Sequence, residues 1–402
     1  MDFELVRPNF PFPSCRSSED STSPGLGRRS ESRATEGAQI HLRAESPAYS
    51  VSSGISGTSR ITTGVSSDSA AFRSKASSKA SNSEASMDAH RQREQKWMSL
   101  ISTVPPEQAR KNKKVRKLLG EGVPASVRYL VWSLMTNAKS KGVTGVYSQL
   151  IKRVRVVAFA DMERDVKRCF GEHPHFQSTE GPLVNLLQAY LTMVPDVQYS
   201  TGLTLIAGHT LLLAPEEDAF WIFVSMMDSA LRPYFSANST QMEVDAALFS
   251  RALETNDAQV TKKVLVDMGI NPAHMCFPWF TTLFVGSLPG DYVNRVWDLF
   301  LYEGVPLLIR VGLAILYCCR RAILEAASED AVLYYLKRPS PTWLPPTPDA
   351  FMTLAFSFKV KDDDVRKQRI KMEKQVKKQA QGQGVRLVAN GSGISFPRDT
   401  YT

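Results

Sequence analysis

The chain has 402 residues, of which 43% are hydrophobic and 22% charged, and it carries a net charge of +9. Neither of its two longest apolar stretches is suited to cross a bilayer, because 203–213 is only about half a span and 299–319 is interrupted by Glu303, Pro306 and Arg310. The opening residues MDFELVRP contain two acids and no basic region before an apolar block, so we expect a cytoplasmic protein without a secretory signal.

Residues 1–88 form an arm of biased composition, dominated by Ser, Thr, Gly and Arg and without a hydrophobic period of 2 or 3.6. Such a segment cannot bury enough apolar surface to offset the entropy lost on ordering. We therefore expect this arm to be disordered and the folded region to begin after it.

Residues 89–336 show the helical hydrophobic period almost throughout, which predicts an all-α domain. Turns that contain Gly or Pro, such as GEGVP and GSLPGD, separate the helices. Helices are predicted at 89–102, 106–119, 125–137, 142–151, 160–170, 181–194, 201–213, 216–230, 242–256, 261–268, 278–285, 291–302, 305–324 and 329–335. Because this region is large for one hydrophobic core, we expect two helical subdomains that share a cleft.

Two further segments follow the predicted domain. In 337–358, closely spaced prolines forbid helix and favour an extended surface connection before one short helix at 350–356. In 359–402 a basic, charged helix precedes a flexible tail. This helix is either solvated, with i,i+4 pairs, or attracted to an anionic membrane or an acidic partner. Nucleic acid is disfavoured, since no aromatic stacking platform or zinc-finger pattern accompanies the charge.

The cysteine and histidine spacing predicts no metal site. No Cys-x-x-Cys pair or Cys/His ligand spacing occurs among Cys15, Cys169, Cys276, Cys318 and Cys319, which are expected to be reduced thiols. His173 and His175 form an isolated His-x-His, and without further ligands nearby we expect a loop there.

The stretch MERDVKRCF places an acid, Asp165, three residues ahead of a base, Arg168. One apolar face of its helix is formed at the offsets 0, 3, 7 and 10–11 by Phe159, Met162, Val166, Cys169 and Phe170. Arg168 points away from that face, Asp165 is its neighbour on the exposed side, and Gly171 ends the helix. On this geometry alone the two residues are an ordinary solvated pair.

Four motifs in order change that interpretation. GVPASVRYLVW fits GxPxxxRxxVW, MERDVKR fits IxxDxxR, YSTG fits YxxG, and RVWDLFLYEG fits RxWDxFLxEG. Together they resemble the TBC domain, the helical catalytic domain of GTPase-activating proteins for Rab-type GTPases, over residues 114–324. The resemblance implies a V-shaped all-α domain of two subdomains. It also implies a Rab-type small GTPase in the GTP form as partner, and a role in vesicle traffic and intracellular protein transport.

The resemblance also implies roles for particular residues. Arg168 matches the family's arginine finger, with Met162 in place of the motif's Ile, and Asp165 would help to hold it. The residues that match positions supporting the cleft are Arg128, Trp132, Arg295, Trp297 and Asp298. The chain would need no cofactor of its own, because GTP and Mg belong to the partner GTPase. The basic tail would allow peripheral recruitment to endomembranes.

One motif departs from the family pattern. The family's second finger is the glutamine of YxQGxN. In this chain the motif begins at Tyr199, Thr201 replaces the glutamine and Thr204 replaces the asparagine. Threonine is too short to reach an amide's targets and cannot supply its paired donor and acceptor. Arg168 could act alone while the GTPase uses its own glutamine, the chain could bind without catalysis, or Gln198 could substitute. A helical scaffold for a partner other than a GTPase is the competing class.

Overall fold

The structure is a computed structural model, and it describes residues 87–178, 180–237 and 240–374. The predicted disordered arm up to residue 86, Cys15 and the tail beyond residue 374 lie outside the described residues. The all-α prediction is confirmed: the described residues contain only helices, turns and two isolated bridges. No described helix has both the length and the apolar character needed to span a membrane.

Nineteen α-helices lie in the described ranges, besides short 3-10 and π-helical turns. They are α1 (87–103), α2 (Pro106–Ala109), α3 (Lys113–Glu121), α4 (Arg128–Thr136), α5 (Ala138–Lys141), α6 (Val146–Ile151), α7 (Phe159–Cys169), α8 (Pro182–Met193), α9 (Thr201–Leu211), α10 (Glu216–Met226), α11 (Gln241–Asn256), α12 (Ala258–Thr261), α13 (Pro272–Phe280), α14 (Gly290–Glu303), α15 (Val305–Cys318), α16 (Arg320–Glu325), α17 (Glu329–Lys337), α18 (Pro348–Ser357) and α19 (362–374).

Helix α8 is the centre of the region that positions the site. It begins with Pro182, whose fixed φ suits the first helical position, and most of its residues are buried. Helices α6, α7, α9 and α10 all pack against it, and α7 and α9 also pack against each other. The ends of α7 and α9 are therefore fixed relative to one another by a shared core.

One predicted helix was misplaced. The sequence suggested a helix at 278–285, but α13 runs from Pro272 to Phe280 with Pro278 inside it. The side chain of Asn271 accepts a hydrogen bond from Ala273 N at 2.9 Å and so caps the helix, and Pro272 occupies the first helical position. Together these two residues are a stronger signal for a helix start than Pro278. After the helix the chain turns through left-handed backbone, with φ of 48° at Leu283 and 66° at Phe284.

Several predicted helices are divided or end differently. The predicted helix 106–119 is two helices, since Asn112 caps a new one by accepting a hydrogen bond from Lys114 N at 2.8 Å. The predicted helix 305–324 breaks at Cys319, and 261–268 is mainly a π-helical turn, Lys262–Asp267. Helix α7 ends at Cys169, one residue before the predicted end at 170, and Phe170 is its C-cap.

The segments after 336 pack on the domain. The connection contains a 3-10 turn, Pro341–Trp343, so its prolines do not exclude helical turns entirely. Helix α18 starts where Thr347 Oγ1 accepts from Ala350 N at 3.1 Å, and its buried face includes Phe351 and Met352, against α14 and α15.

Helix α19, the described part of the basic tail, is anchored to the domain along one face. Arg369 pairs with Asp245 of α11 at 2.9 Å, and that carboxylate is 0% exposed. Arg310 of α15 pairs with Asp362, and Arg366 donates to the carbonyl oxygen of Glu303 at 3.1 Å. Most of 362–374 is exposed and Arg369 also makes an i,i+4 pair with Glu373 at 3.6 Å, as expected for a solvated helix. The expectation is wrong only for the face that carries Asp362, Arg366 and Arg369.

Candidate functional site

Helix α7 exposes Arg168 but buries its acidic neighbour. Asp165 is 8% exposed, whereas the side chain of Arg168 is 63% exposed. The prediction that Asp165 faces solvent is wrong. The residues Met162, Asp165 and Val166 lie at i, i+3 and i+4 and so share one face, with Asp165 inside the apolar stripe. A buried carboxylate needs partners, and the structure supplies three.

Asp165 joins α7 to the start of α9. Its Oδ1 lies 2.8 Å from Arg168 Nη2, and its Oδ2 accepts hydrogen bonds from Thr201 Oγ1 at 2.7 Å and Tyr199 OH at 3.0 Å. Arg168 Nη2 also donates to Thr201 Oγ1 at 3.1 Å. The predicted residues Asp165, Arg168, Tyr199 and Thr201 are thus brought together in one network.

The proton positions in this network follow from counting donors. A phenol has one proton, and Tyr199 gives it to Asp165. The 2.7 Å contact between Tyr199 OH and Thr204 Oγ1 is therefore donated by Thr204. Burial and the bond to Asp165 raise the pKa of Tyr199 above its usual value, so it stays a donor at neutral pH. The hydroxyl of Thr201 is likewise committed to Asp165.

The start of α9 is held by close backbone contacts. Gly202 follows Thr201, and a Cβ on it would lie 2.3 Å from the carbonyl oxygen of Thr281, so only glycine fits. On the other side, the backbone of Gln198 donates to the carbonyl oxygen of Phe235 at 2.8 Å, next to a bridge between Val197 and Ser236. Thr201 is therefore presented at a fixed point beside α7.

Gln198 lies outside α9. Helix α9 begins at Thr201, and the side chain of Gln198 is exposed on the extended segment before it. Gln198 and Thr201 therefore do not share a helical face, because no helix connects them. Its side chain has no hydrogen-bond partner among the described residues, so nothing fixes it toward Arg168.

Three of the predicted supporting residues form a buried cluster between α4 and α14. Asp298 is fully buried and accepts hydrogen bonds from Arg128 Nε at 3.2 Å and Trp132 Nε1 at 2.8 Å. Burial raises the pKa of Asp298 to about 6, against the opposing effect of Arg128. Arg128 also donates to the carbonyl oxygen of Val123 at 2.7 Å. This cluster ties the two helices together.

The other two supporting residues also make structural contacts. Arg295 donates to the carbonyl oxygens of Leu119 at 2.7 Å and Gly120 at 2.9 Å, and it pairs with Asp349 of α18 at 2.7 Å. Trp297 Nε1 donates to the carbonyl oxygen of Leu283 at 2.9 Å, on the left-handed turn after α13. None of the five supporting side chains bonds to Arg168.

Sequence reasoning missed His209, which links the site helix to the supporting cluster. It lies on α9 with its ring 4.7 Å from that of Trp297 and 6.3 Å from that of Trp132. Its Nε2 is 2.9 Å from Asn294 Oδ1, and burial lowers its pKa to about 4. A single histidine inside the apolar run LTLIAGHTLLL was the available signal.

Sequence reasoning also missed Asp245, whose ion pair with Arg369 is coupled to the site segment. Tyr234 donates to Asp245 at 2.7 Å, and the next residue, Phe235, holds the backbone of Gln198.

Within the described residues, no group of three or more His, Cys, Asp or Glu is placed to hold a metal ion. At the site itself, the structure presents an exposed guanidinium on a fixed support.

Known proteins share this fold and the region that carries the site. Residues 125–324 match the family model described as the Rab-GTPase-TBC domain. Carabin of Mus musculus is 32% identical over 238 residues, covering 58% of this chain and 53% of that protein. The ecotropic viral integration site 5 protein homolog of Homo sapiens is 26% identical over 303 residues, covering 73% of this chain and 37% of that protein. The chain thus spans about half or less of the length of these relatives.

Two solved structures are similar in fold. The TBC domain of the Chlamydomonas flagellar RabGAP aligns with a TM-score of 0.57 and 25% identity, over 68% of this chain and 93% of that one. The Ypt/Rab-GAP domain of Gyp1p aligns with a TM-score of 0.54 and 14% identity, over 67% and 98%, which supports the fold alone. Through residues 125–324, the chain belongs to the TBC domain family.

Proposed function

We propose that the chain is a GTPase-activating protein for a Rab-type small GTPase in the GTP form and that it supplies Arg168 in trans as an arginine finger. One observation carries this proposal. The guanidinium of Arg168 is exposed, while the carboxylate behind it is buried and held by Tyr199 and Thr201. A surface arginine that only needs solvation requires no such support.

The chemistry suits a guanidinium. Hydrolysis of GTP develops negative charge on the β–γ bridging and γ-phosphoryl oxygens, and the planar fork of arginine can donate two hydrogen bonds there. Supplying that donor in trans accelerates hydrolysis by about 10³–10⁵ in known finger systems. GTP and Mg come with the GTPase. The chain would act at cytoplasmic surfaces of endomembranes, in vesicle traffic and intracellular protein transport.

Asp165 is proposed to position the finger. With one oxygen on Arg168 and the other on α9, it fixes the base of the arginine while the tip faces outward. The contacts with Asp165 and Thr201 are both made by Nη2, the Cys169 thiol is a further neighbour, and the side chain as a whole is 63% exposed. This exposure lets the outward side of the fork meet phosphate oxygens.

A non-catalytic binder of a GTPase or another partner is the second candidate, and the contacts of Thr201 favour keeping it. Its hydroxyl donates inward to Asp165, so the position that holds glutamine in the family motif offers no group to orient water. If catalysis survives, it therefore uses Arg168 alone and depends on the GTPase's own glutamine.

A panel experiment separates these candidates. Purified Rab-type GTPases loaded with GTP are tested for capture by the full chain and, separately, for single-turnover hydrolysis with and without it. Capture with stimulated hydrolysis supports the activator, and capture without stimulation supports the silent binder. Capture of no member of a broad panel would contradict binding of a GTPase in either form and leave a scaffold for another partner.

A further inference from the structure

The loop between α6 and α7 exposes apolar side chains to an unusual degree. Residues 152–157 have the sequence KRVRVV, and Val154 and Val157 are 91% and 106% exposed. These are the two most exposed large hydrophobic side chains among the described residues. Single exposed hydrophobic residues are normal on protein surfaces, but a close pair inside a charged loop is not explained by that rule.

The same loop carries three cations and no acid. The side chains of Lys152, Arg153 and Arg155 form no ion pair with any described residue. The guanidinium of Arg155 lies 4.2 Å from the centre of the Phe159 ring, which keeps it beside the valines. The next acid along the chain, Asp161, is paired with Arg164. The loop therefore has an uncompensated positive charge.

A buried amide anchors the backbone of this loop. Gln188 of α8 is buried, and its Oε1 accepts a hydrogen bond from Val156 N at 3.0 Å. Its Nε2 donates to the carbonyl oxygen of Val154 at 3.0 Å. Because both contacts are to the main chain, the loop is fixed while its side chains project outward. The hydrogen bonds of Gln188 thus hold the loop in the conformation that exposes the two valines.

We propose that residues 152–157 are a membrane-docking loop for an anionic phospholipid surface. Projecting valines gain by entering the boundary between headgroups and acyl chains, while lysine and arginine keep their charges at the headgroup level. An acidic protein surface is a poorer fit. Centres of protein interfaces are rich in Trp, Tyr and Arg, and valine is under-represented among their energetic anchors.

The charge and the apolar pair make separable contributions. Each Lys or Arg close to an anionic bilayer is worth about fivefold in partitioning, so the three together give roughly 100-fold at low salt. That part weakens as ionic strength shortens the screening length. The valines contribute a part that salt does not remove.

The experiment is sedimentation of the full chain with vesicles of phosphatidylcholine alone or with roughly 30% phosphatidylserine. The variants are Lys152→Gln/Arg153→Gln/Arg155→Gln and Val154→Ser/Val157→Ser. Val266→Ser is the matched control, because Val266 is also exposed, at 70%, but lies on the π-helical turn Lys262–Asp267. Thermal unfolding of each variant checks that the fold is kept.

We expect the wild type and Val266→Ser to bind the phosphatidylserine vesicles and not the neutral ones. The triple cation variant should lose roughly 100-fold in partitioning. The double serine variant should lose the binding that persists at high salt. Equal binding by the loop variants would place the membrane contact elsewhere, such as on the basic tail, and overturn the proposal. Failure of the wild type to prefer the anionic vesicles would also overturn it.

Discussion

The hydroxyl of Thr201 donates to the carboxylate of Asp165 at 2.7 Å and accepts from Arg168 at 3.1 Å. Thr201 occupies the position of the glutamine in the family motif. Its contacts help to hold Asp165 and Arg168 in place. The threonine therefore does more than leave out an amide, because its hydroxyl ties the start of α9 to the helix that carries Arg168.

Thr201→Val tests that support. The change keeps the shape but removes the hydroxyl, so Asp165 loses a hydrogen bond worth about 1 kcal/mol and Arg168 loses an acceptor. We expect a small drop in melting temperature and a clear drop in any stimulation of GTP hydrolysis. Thr210→Val is the matched control on the same helix, since its hydroxyl bonds only to the carbonyl oxygen of Ile206. Stimulation that is equally reduced in both variants would contradict a specific role of Thr201.

Thr201→Gln tests whether one finger is used. A GTPase whose own water-orienting glutamine is replaced should resist the unmodified chain. Restoring an amide at residue 201 should raise single-turnover hydrolysis by that GTPase by about 10²–10³. Gln198→Ala is the companion variant and should change nothing, because Gln198 lies outside α9. Strong stimulation of the glutamine-less GTPase by the unmodified chain, lost in Gln198→Ala, would show that Gln198 substitutes.

Arg369→Ala tests the anchoring of the tail helix. Removing the cation leaves the fully buried Asp245 with only its neutral hydrogen-bond partners, which should lower the free energy of unfolding by about 3 kcal/mol. Lys367→Ala is the control, since Lys367 is exposed and has no described partner. A truncation after Phe358 should be destabilised like Arg369→Ala, because it removes the same cation. Chemical denaturation measures all three, and equal stability throughout would show that α19 adds nothing.

The residues of the candidate site could be chosen from the sequence, but their contacts could not. The spacing of the motifs located Arg168, Asp165 and Thr201, since a family pattern records residue types at fixed separations. The burial of Asp165 was not predicted, because apolar periodicity counts only apolar residues and therefore assigns a carboxylate to the exposed face. Only the fold shows that Tyr199 and Thr201 come from another helix to satisfy that carboxylate.

The helices followed the same logic. Long amphipathic segments were located well, whereas the helix at Pro272–Phe280 was misplaced because Pro278 suggested a start and the cap at Asn271 was overlooked. The docking of α19 could not be predicted, since its contact face is charged. Asp362, Arg366 and Arg369 lie at the offsets 0, 4 and 7 of one helical face, but only the folded domain reveals their buried partners.

His209 predicts a pH dependence of stability. Its pKa is lowered to about 4 in the folded state and is near 6.5 when unfolded, so its contribution is complete above about pH 6.5 and is lost as the pH falls toward 4. The loss is on the order of 3 kcal/mol. Asp298 acts in the opposite direction, because its raised pKa stabilises the fold as the pH falls through about 6.

The effect of His209 is therefore measured as a difference between two proteins. Free energies of unfolding are determined from pH 7.5 to 4.5 for the wild type and His209→Gln. The gap between them should shrink or reverse toward low pH, since only the wild type must take up this proton on unfolding. Parallel pH profiles would mean that His209 is not held neutral by burial.

The central claim is that Arg168 acts on a bound GTPase. The most direct measurement is single-turnover GTP hydrolysis by a captured Rab-type GTPase at equal occupancy with wild type, Arg168→Ala and Arg168→Lys. Because the Arg168 side chain is exposed and Asp165 keeps its hydrogen bonds from Tyr199 and Thr201, both variants should keep the fold and the binding, with at most a small drop in melting temperature. Both should lose the stimulation, by up to about 10³–10⁵, since lysine brings a point charge instead of a fork. Full stimulation by both variants would contradict the claim and return Arg168 to the role of an ordinary surface charge.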